Sequence, residues 1–138
     1  MQSIALYPSG SSDVGYASSS SEIFSGGYET SYCEIGSYSS YSDISWLRIS
    51  LDNIPAGATI ASAILTLTAY SSQSNEDCII SIQANDSDSP TIPTSSAEAF
   101  NLPYCNVSAE FTVGAWTAGN TYSFDITRII QDFVGRSG

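Results

Sequence analysis

From Trp46 to Tyr70 the chain reads as strand, tight turn, strand. Leu47, Ile49 and Leu51 alternate with Trp46, Arg48 and Ser50, the period-two pattern of a strand with one buried face. Pro55-Ala56-Gly57 then supplies turn chemistry: proline presets one φ and glycine tolerates a positive one. In the following run Ala61, Ala63, Leu65, Leu67 and Ala69 share one face, and Ile60, Ser62, Ile64, Thr66, Thr68 and Tyr70 share the other. The pattern predicts strands over 46–51 and 59–70. Residues 78–85 alternate in the same way, with Cys78 in phase with Ile80, Ile82 and Ala84. That phase makes Cys78 a buried thiol.

Shorter strands are expected near 13–17, 22–24 and 32–36, separated by Ser and Gly clusters. Residues 71–77 read as a polar loop, and 86–96, with Pro90 and Pro93, as a long one. The stretch 97–117 is ambiguous apart from a strand near 107–113. A turn at Gly119-Asn120 precedes a short strand over 122–125. At the end the period changes: Ile126, Ile129, Ile130, Phe133 and Val134 recur at helical spacing. Asp125 suits the N-cap and Gly135 a C-terminal stop. Many short strands and one short helix predict an all-β fold. The expected architecture is an antiparallel β-sandwich, jelly-roll-like, with one short C-terminal helix, in a single domain over 1–138.

Charge narrows the function. The 138 residues hold three arginines, no lysine and fourteen acids, for a formal net charge of -11. Such a surface repels phosphate backbones and anionic membranes, and favours cationic partners or calcium. Its simplest role is solubility. The absence of histidine removes His-based nucleophile systems and imidazole metal sites. No apolar run approaches the ~20 residues of a membrane helix, and no signal peptide is visible. Cys33, Cys78 and Cys105 allow at most one internal disulfide, and their spacing leaves the pair open.

The stretch from Trp46-Leu-Arg-Ile-Ser-Leu through Ile54-Pro-Ala-Gly-Ala-Thr-Ile-Ala-Ser-Ala-Ile-Leu-Thr-Leu67 resembles the central signature of DNRLRE-type β-sandwich domains, roughly "LLRFDLSSIPAGATITSATLRLY". Phe124-Asp-Ile-Thr-Arg-Ile-Ile-Gln-Asp-Phe133 resembles that family's "FDVTSLVQEW", and Asp13-Val-Gly-Tyr-Ala17 its opening strand. The resemblance implies a jelly-roll-like module of secreted bacterial surface proteins and polysaccharide-degrading enzymes, some of them carbohydrate-binding and including alginate binders. The loop Ser89-Pro-Thr-Ile-Pro-Thr94 and the segment Ile129–Arg136 are similar to parts of bacteriophage structural proteins. The family's "RFDL" reads Arg48-Ile-Ser-Leu51 here, without the acid. Family members usually add a closing strand after the helix. Its absence before Gly138 leads us to expect an open sheet edge, ready for strand addition from a neighbour.

Arg48, flanked by apolar residues, needs a carboxylate. An internal ion pair with Asp125, Asp43 or Asp52 is the favoured reading, and contact with a ligand uronate the other. Tyr16, Tyr28, Tyr32, Tyr38 and Tyr41 crowd a Ser/Gly-rich region. They suit either adaptable binding loops or exposed strand faces. Trp46 and Trp116 read as packing residues, with lining a groove as the alternative for either. Asp86, Asp88, Glu76 and Asp77 are loop acids that could hold calcium or simply be solvated. No cofactor is otherwise required. Glu22, Glu34 and Glu110 offer no placed acid pair for glycoside hydrolysis, so no catalytic residue is assigned and the chain is not read as an enzyme. The favoured function is a structural or assembly module on a virion or extracellular surface. It would act through a protein partner or self-association. A carbohydrate-binding module for an extracellular polysaccharide is the alternative.

Overall fold

A computed structural model describes residues 3–10, 13–19, 23–25, 35, 37–38, 41–72, 78–87 and 89–136. Most regular structure is antiparallel strand, arranged in small sheets, with a short C-terminal helix. The chain divides into two compact units, Met1–Asn53 with Asp86–Pro103, and Ile54–Asn85 with Tyr104–Gly138.

The first unit holds β1 (Val14–Ser18), β2 (Ile23–Ser25), β3 (Ser37–Tyr38) and β4 (Tyr41–Leu47), in the order β2-β1-β4-β3. β1 is central, flanked by β2 and β4, and Gly15, Tyr16, Ala17 and Ser18 are all buried. The strand expected over 46–51 lies earlier: β4 ends at Leu47. Its register against β1 closes with Val14 opposite Leu47, and the chain beyond Arg48 leaves the sheet. A helix that the alternation did not signal, α1 (Ser96–Phe100), follows the proline loop. Ser95 caps it, accepting a hydrogen bond from the Glu98 backbone N–H at 3.2 Å, while the Glu98 carboxylate accepts from the Thr94 N–H at 2.7 Å. The Ser-x-x-Glu pattern thus acts as a variant of the capping box: Ser95 satisfies one first-turn donor, and Glu98 reaches back past the cap to Thr94. Ala99 is fully buried, and the Ser96 hydroxyl donates to the Ser18 carbonyl at 2.7 Å.

The second unit opens on the predicted turn. The Ala58 N–H donates to the Pro55 carbonyl at 3.1 Å, and Gly57 between them has φ 71°. A positive φ at the third turn position is where glycine is favoured. β5 (Ile64–Thr68) pairs with β8 (Thr121–Asp125), and β6 (Cys78–Asn85) with β7 (Tyr104–Val113). Of the two faces of β5, the one with Leu65 and Leu67 points inward: both are half-buried and Ala69 just beyond is buried, while Ile64, Thr66 and Thr68 are exposed. Opposite Leu65, Phe124 is 3% exposed and meets Phe111 of β7 edge to face at 5.1 Å between ring centres. This aromatic pair joins the inner faces of the two ladders.

β5 starts five residues later than the alternation suggests because the segment before it bonds to a helix. In α2 (Thr127–Arg136), Gln131 accepts from the Ile60 N–H at 2.7 Å and donates to the Ala58 carbonyl at 3.2 Å. Ile129 and Val134 are buried, in agreement with the helical spacing. Asp125 accepts from the Thr127 N–H and hydroxyl and so tethers the first turn. Gly135 lies inside the helix rather than beyond its end. The last turn instead carries Arg136, which pairs with Asp132 at 2.6 Å and complements the negative helix terminus.

Candidate functional site

Arg48 follows β4 and Asp13 precedes β1, so the antiparallel register brings them face to face. The Arg48 N–H donates to the Asp13 carbonyl at 2.7 Å, and Arg48 Nε donates to Asp13 Oδ1 at 2.6 Å. A second guanidinium nitrogen completes a fork on the same oxygen. The other carboxylate oxygen, Oδ2, accepts from the Ser9 and Gly10 N–H groups, each at 3.0 Å. Arg48 is therefore ion-paired, but its acid is Asp13, where the sequence reading names Asp125, Asp43 or Asp52. Asp125 is engaged with Thr127 instead. Asp13 is 5% exposed, and a buried carboxylate needs this set of donors. The arrangement anchors the N-terminal loop to the sheet.

The tyrosine cluster separates. Tyr16 is in the core at 7% exposure, which takes its ring off the binding surface that composition suggested. Tyr38 and Tyr41 stand opposite one another where β3 meets β4. Tyr28 and Tyr32 lie outside the described residues, as do Glu22, Glu34 and Cys33. Of the loop acids, Asp86 is exposed, and its N–H donates to the Pro103 carbonyl at 2.6 Å. Glu76, Asp77 and Asp88 lie outside the described residues. Among the described residues no three acids, cysteines or histidines gather closely enough to hold a metal ion.

Two features that alternation alone did not reveal stand out. The first unit has a shallow open cleft of about 440 Å³ between the end of β1 and α1, lined by Ser19, Ser95, Ser96, Ala97 and Phe100. Its lining carries no charge, and Phe100 is 38% exposed. Ser19 Oγ and Ser95 Oγ each accept a backbone N–H, from Ser42 and Glu98, which fixes how both hydroxyls point. The Ser-x-x-Glu box was the sequence signal for this corner.

The second feature is the outer surface of the second unit. Among the described residues each of its ladders has only two strands. Ile64 of β5 is 52% exposed and Ile79 of β6 71% exposed, on faces that otherwise carry Thr, Ser and Gln together with the acids Asp125, opposite Ile64, and Glu110, opposite Ser81. Trp116 instead packs against Tyr122, with ring centres 4.1 Å apart and planes tilted by 34°, and the Tyr122 hydroxyl accepts the Thr117 N–H at 2.9 Å. Among the described residues no helix is long and apolar enough to cross a membrane. Comparison with family models, curated proteins and solved structures finds no match.

Proposed function

We propose that this chain is a non-catalytic assembly module of a virion or extracellular surface, acting through protein–protein contacts, with its ladders as layers of a jelly-roll-like sandwich. The observation that carries this reading is the pair of two-stranded ladders in the second unit, whose outer edges have no strand partner among the described residues and whose faces expose Ile64 and Ile79. Unpaired backbone donors and acceptors beside an exposed large apolar side chain are what strand addition uses. The jelly-roll assignment draws support from the Phe111–Phe124 contact between the two inner faces.

A second reading, a carbohydrate-binding module, draws on the uncharged cleft at α1. Its exposed phenyl ring and oriented hydroxyls are groups that contact neutral sugars. Affinity electrophoresis separates the two readings. The protein is run through gels containing neutral and acidic polysaccharides, with calcium and with a chelator. The assembly reading expects unaltered migration throughout. Saturable retardation by one glycan class overturns it in favour of the second.

A further inference from the structure

The protein-contact reading leaves open which edge is used and by what, and the second unit contains an edge without the usual protection. β6 is bonded to β7 on one side and has no strand on the other among the described residues, whereas β7 packs against α2. Proteins blunt such edges with lysine, proline, bulges or short strands. β6 runs for eight residues as Cys-Ile-Ile-Ser-Ile-Gln-Ala-Asn, with no charge and no proline, and its register irregularity falls only at the far end, between Gln83 and Asn85. Its outward face holds Ile79 at 71% exposure. A long, uncharged, β-branched edge of this kind pairs with other strands unless something covers it.

We propose that the free edge of β6 receives an extended strand from a different, basic chain. This rests on the protein-contact reading and names its partner by charge. The chain carries -11 overall, and of its three arginines Arg48 and Arg136 are already bonded to Asp13 and Asp132. Glu110 is exposed on the outer face of the ladder, directly across from Ser81 of β6. A second copy would bring -11 against -11, whereas alternate Lys or Arg side chains on an incoming strand complement this face. The period of two places those cations on one side of the added strand.

Amide hydrogen exchange resolved by NMR tests it on the full chain, with a nine-residue peptide alternating Lys and Val, and a Glu/Val peptide of the same pattern. The basic peptide slows exchange of the β6 amides that do not face β7 by tenfold or more. The effect fades as salt is raised, and the acidic peptide has none. Ile79→Lys, at an exposed position, abolishes the protection while leaving the melting temperature unchanged. Equal protection by both peptides, or by neither, overturns the proposal. So does a homo-oligomer in light scattering whose β6 edge is already protected, although the assembly reading would survive that result. Glycan retardation in the electrophoresis above would overturn the assembly reading independently.

Discussion

The Arg48 guanidinium grips the Asp13 carboxylate across the β1–β4 register, while the Arg48 N–H donates to the Asp13 carbonyl in the same pair. Side chain and backbone thus clamp the same two residues. The Asp13 side chain is 7% exposed and that of Arg48 44% exposed. The carboxylate therefore carries most of the desolvation, and losing the arginine leaves it poorly compensated. Arg48→Ala should lower unfolding free energy by about 2–3 kcal/mol, below the range for a fully buried pair because water reaches the arginine. Urea melts of Arg48→Ala, Asp13→Ala and the double variant check this through the coupling energy. Additive effects would show that the clamp contributes no stability.

Gly57 offers a separate test of the turn. Its φ is 71°, and a Cβ placed there would meet nothing within 4 Å. The strain of a side chain is then purely conformational. Gly57→Ala should destabilise by about 1 kcal/mol, and Gly57→Asn by less, since asparagine tolerates this region. Thermal melts compare the two. Equal stability of wild type and Gly57→Ala would mean that the turn adopts a different geometry.

What could be read from the sequence follows the range of the forces involved. β6 is found at the predicted residues because alternation and β-branched content act locally and nothing competes with them. β5 is shorter because Gln131, seventy-one residues beyond Ile60, takes over that segment's backbone. Local pattern contains no trace of such a bond. α1 was legible in principle through Ser95 and Glu98, but alternation does not detect a five-residue helix. The need of Arg48 for an acid was evident from its apolar neighbours. The identity of that acid depends on the β1–β4 register, because charge alone does not rank Asp13 above Asp125, Asp43 or Asp52. Tyr16 shows the limit of composition: the same residue type serves the core in β1 and composition cannot tell.

Two exposed carboxylates give a pH signature. Glu98 is held below its ordinary value of 4.5 by the Thr94 N–H and then the Thr94 hydroxyl. Asp125 is held below 3.8 by the Thr127 hydroxyl and then its N–H. A carboxyl depressed in the fold contributes stability that is complete above its unfolded pKa and is lost as pH falls through its folded one. The loss therefore lies on the acid side of 4.5 for Glu98 and of 3.8 for Asp125. Thr127→Val removes the larger contribution at Asp125, and its NMR titration midpoint should move up toward the ordinary value. An unmoved midpoint would show that the hydroxyl does not hold the carboxylate.

The cysteines supply the last test. Spacing left their pairing open, and the β6–β7 register closes one option. Cys78 lies opposite Val113 at one end of the ladder, while Cys105 adjoins Tyr104, which lies opposite Asn85 at the other. Seven residues of strand separate the two ends, roughly 23 Å at ~3.3 Å per residue. A disulfide needs Cα atoms within about 7 Å. Cys105 is a buried thiol at 3% exposure, and burial keeps thiols unreactive. Mild oxidation of the folded protein should therefore yield no peptide linking Cys78 to Cys105, and iodoacetamide should label Cys105 only after denaturation. Peptide mass spectrometry without reduction reads both outcomes. A Cys78–Cys105 link would require the ladder to shift by most of its length, and would overturn the register on which the β6 edge depends.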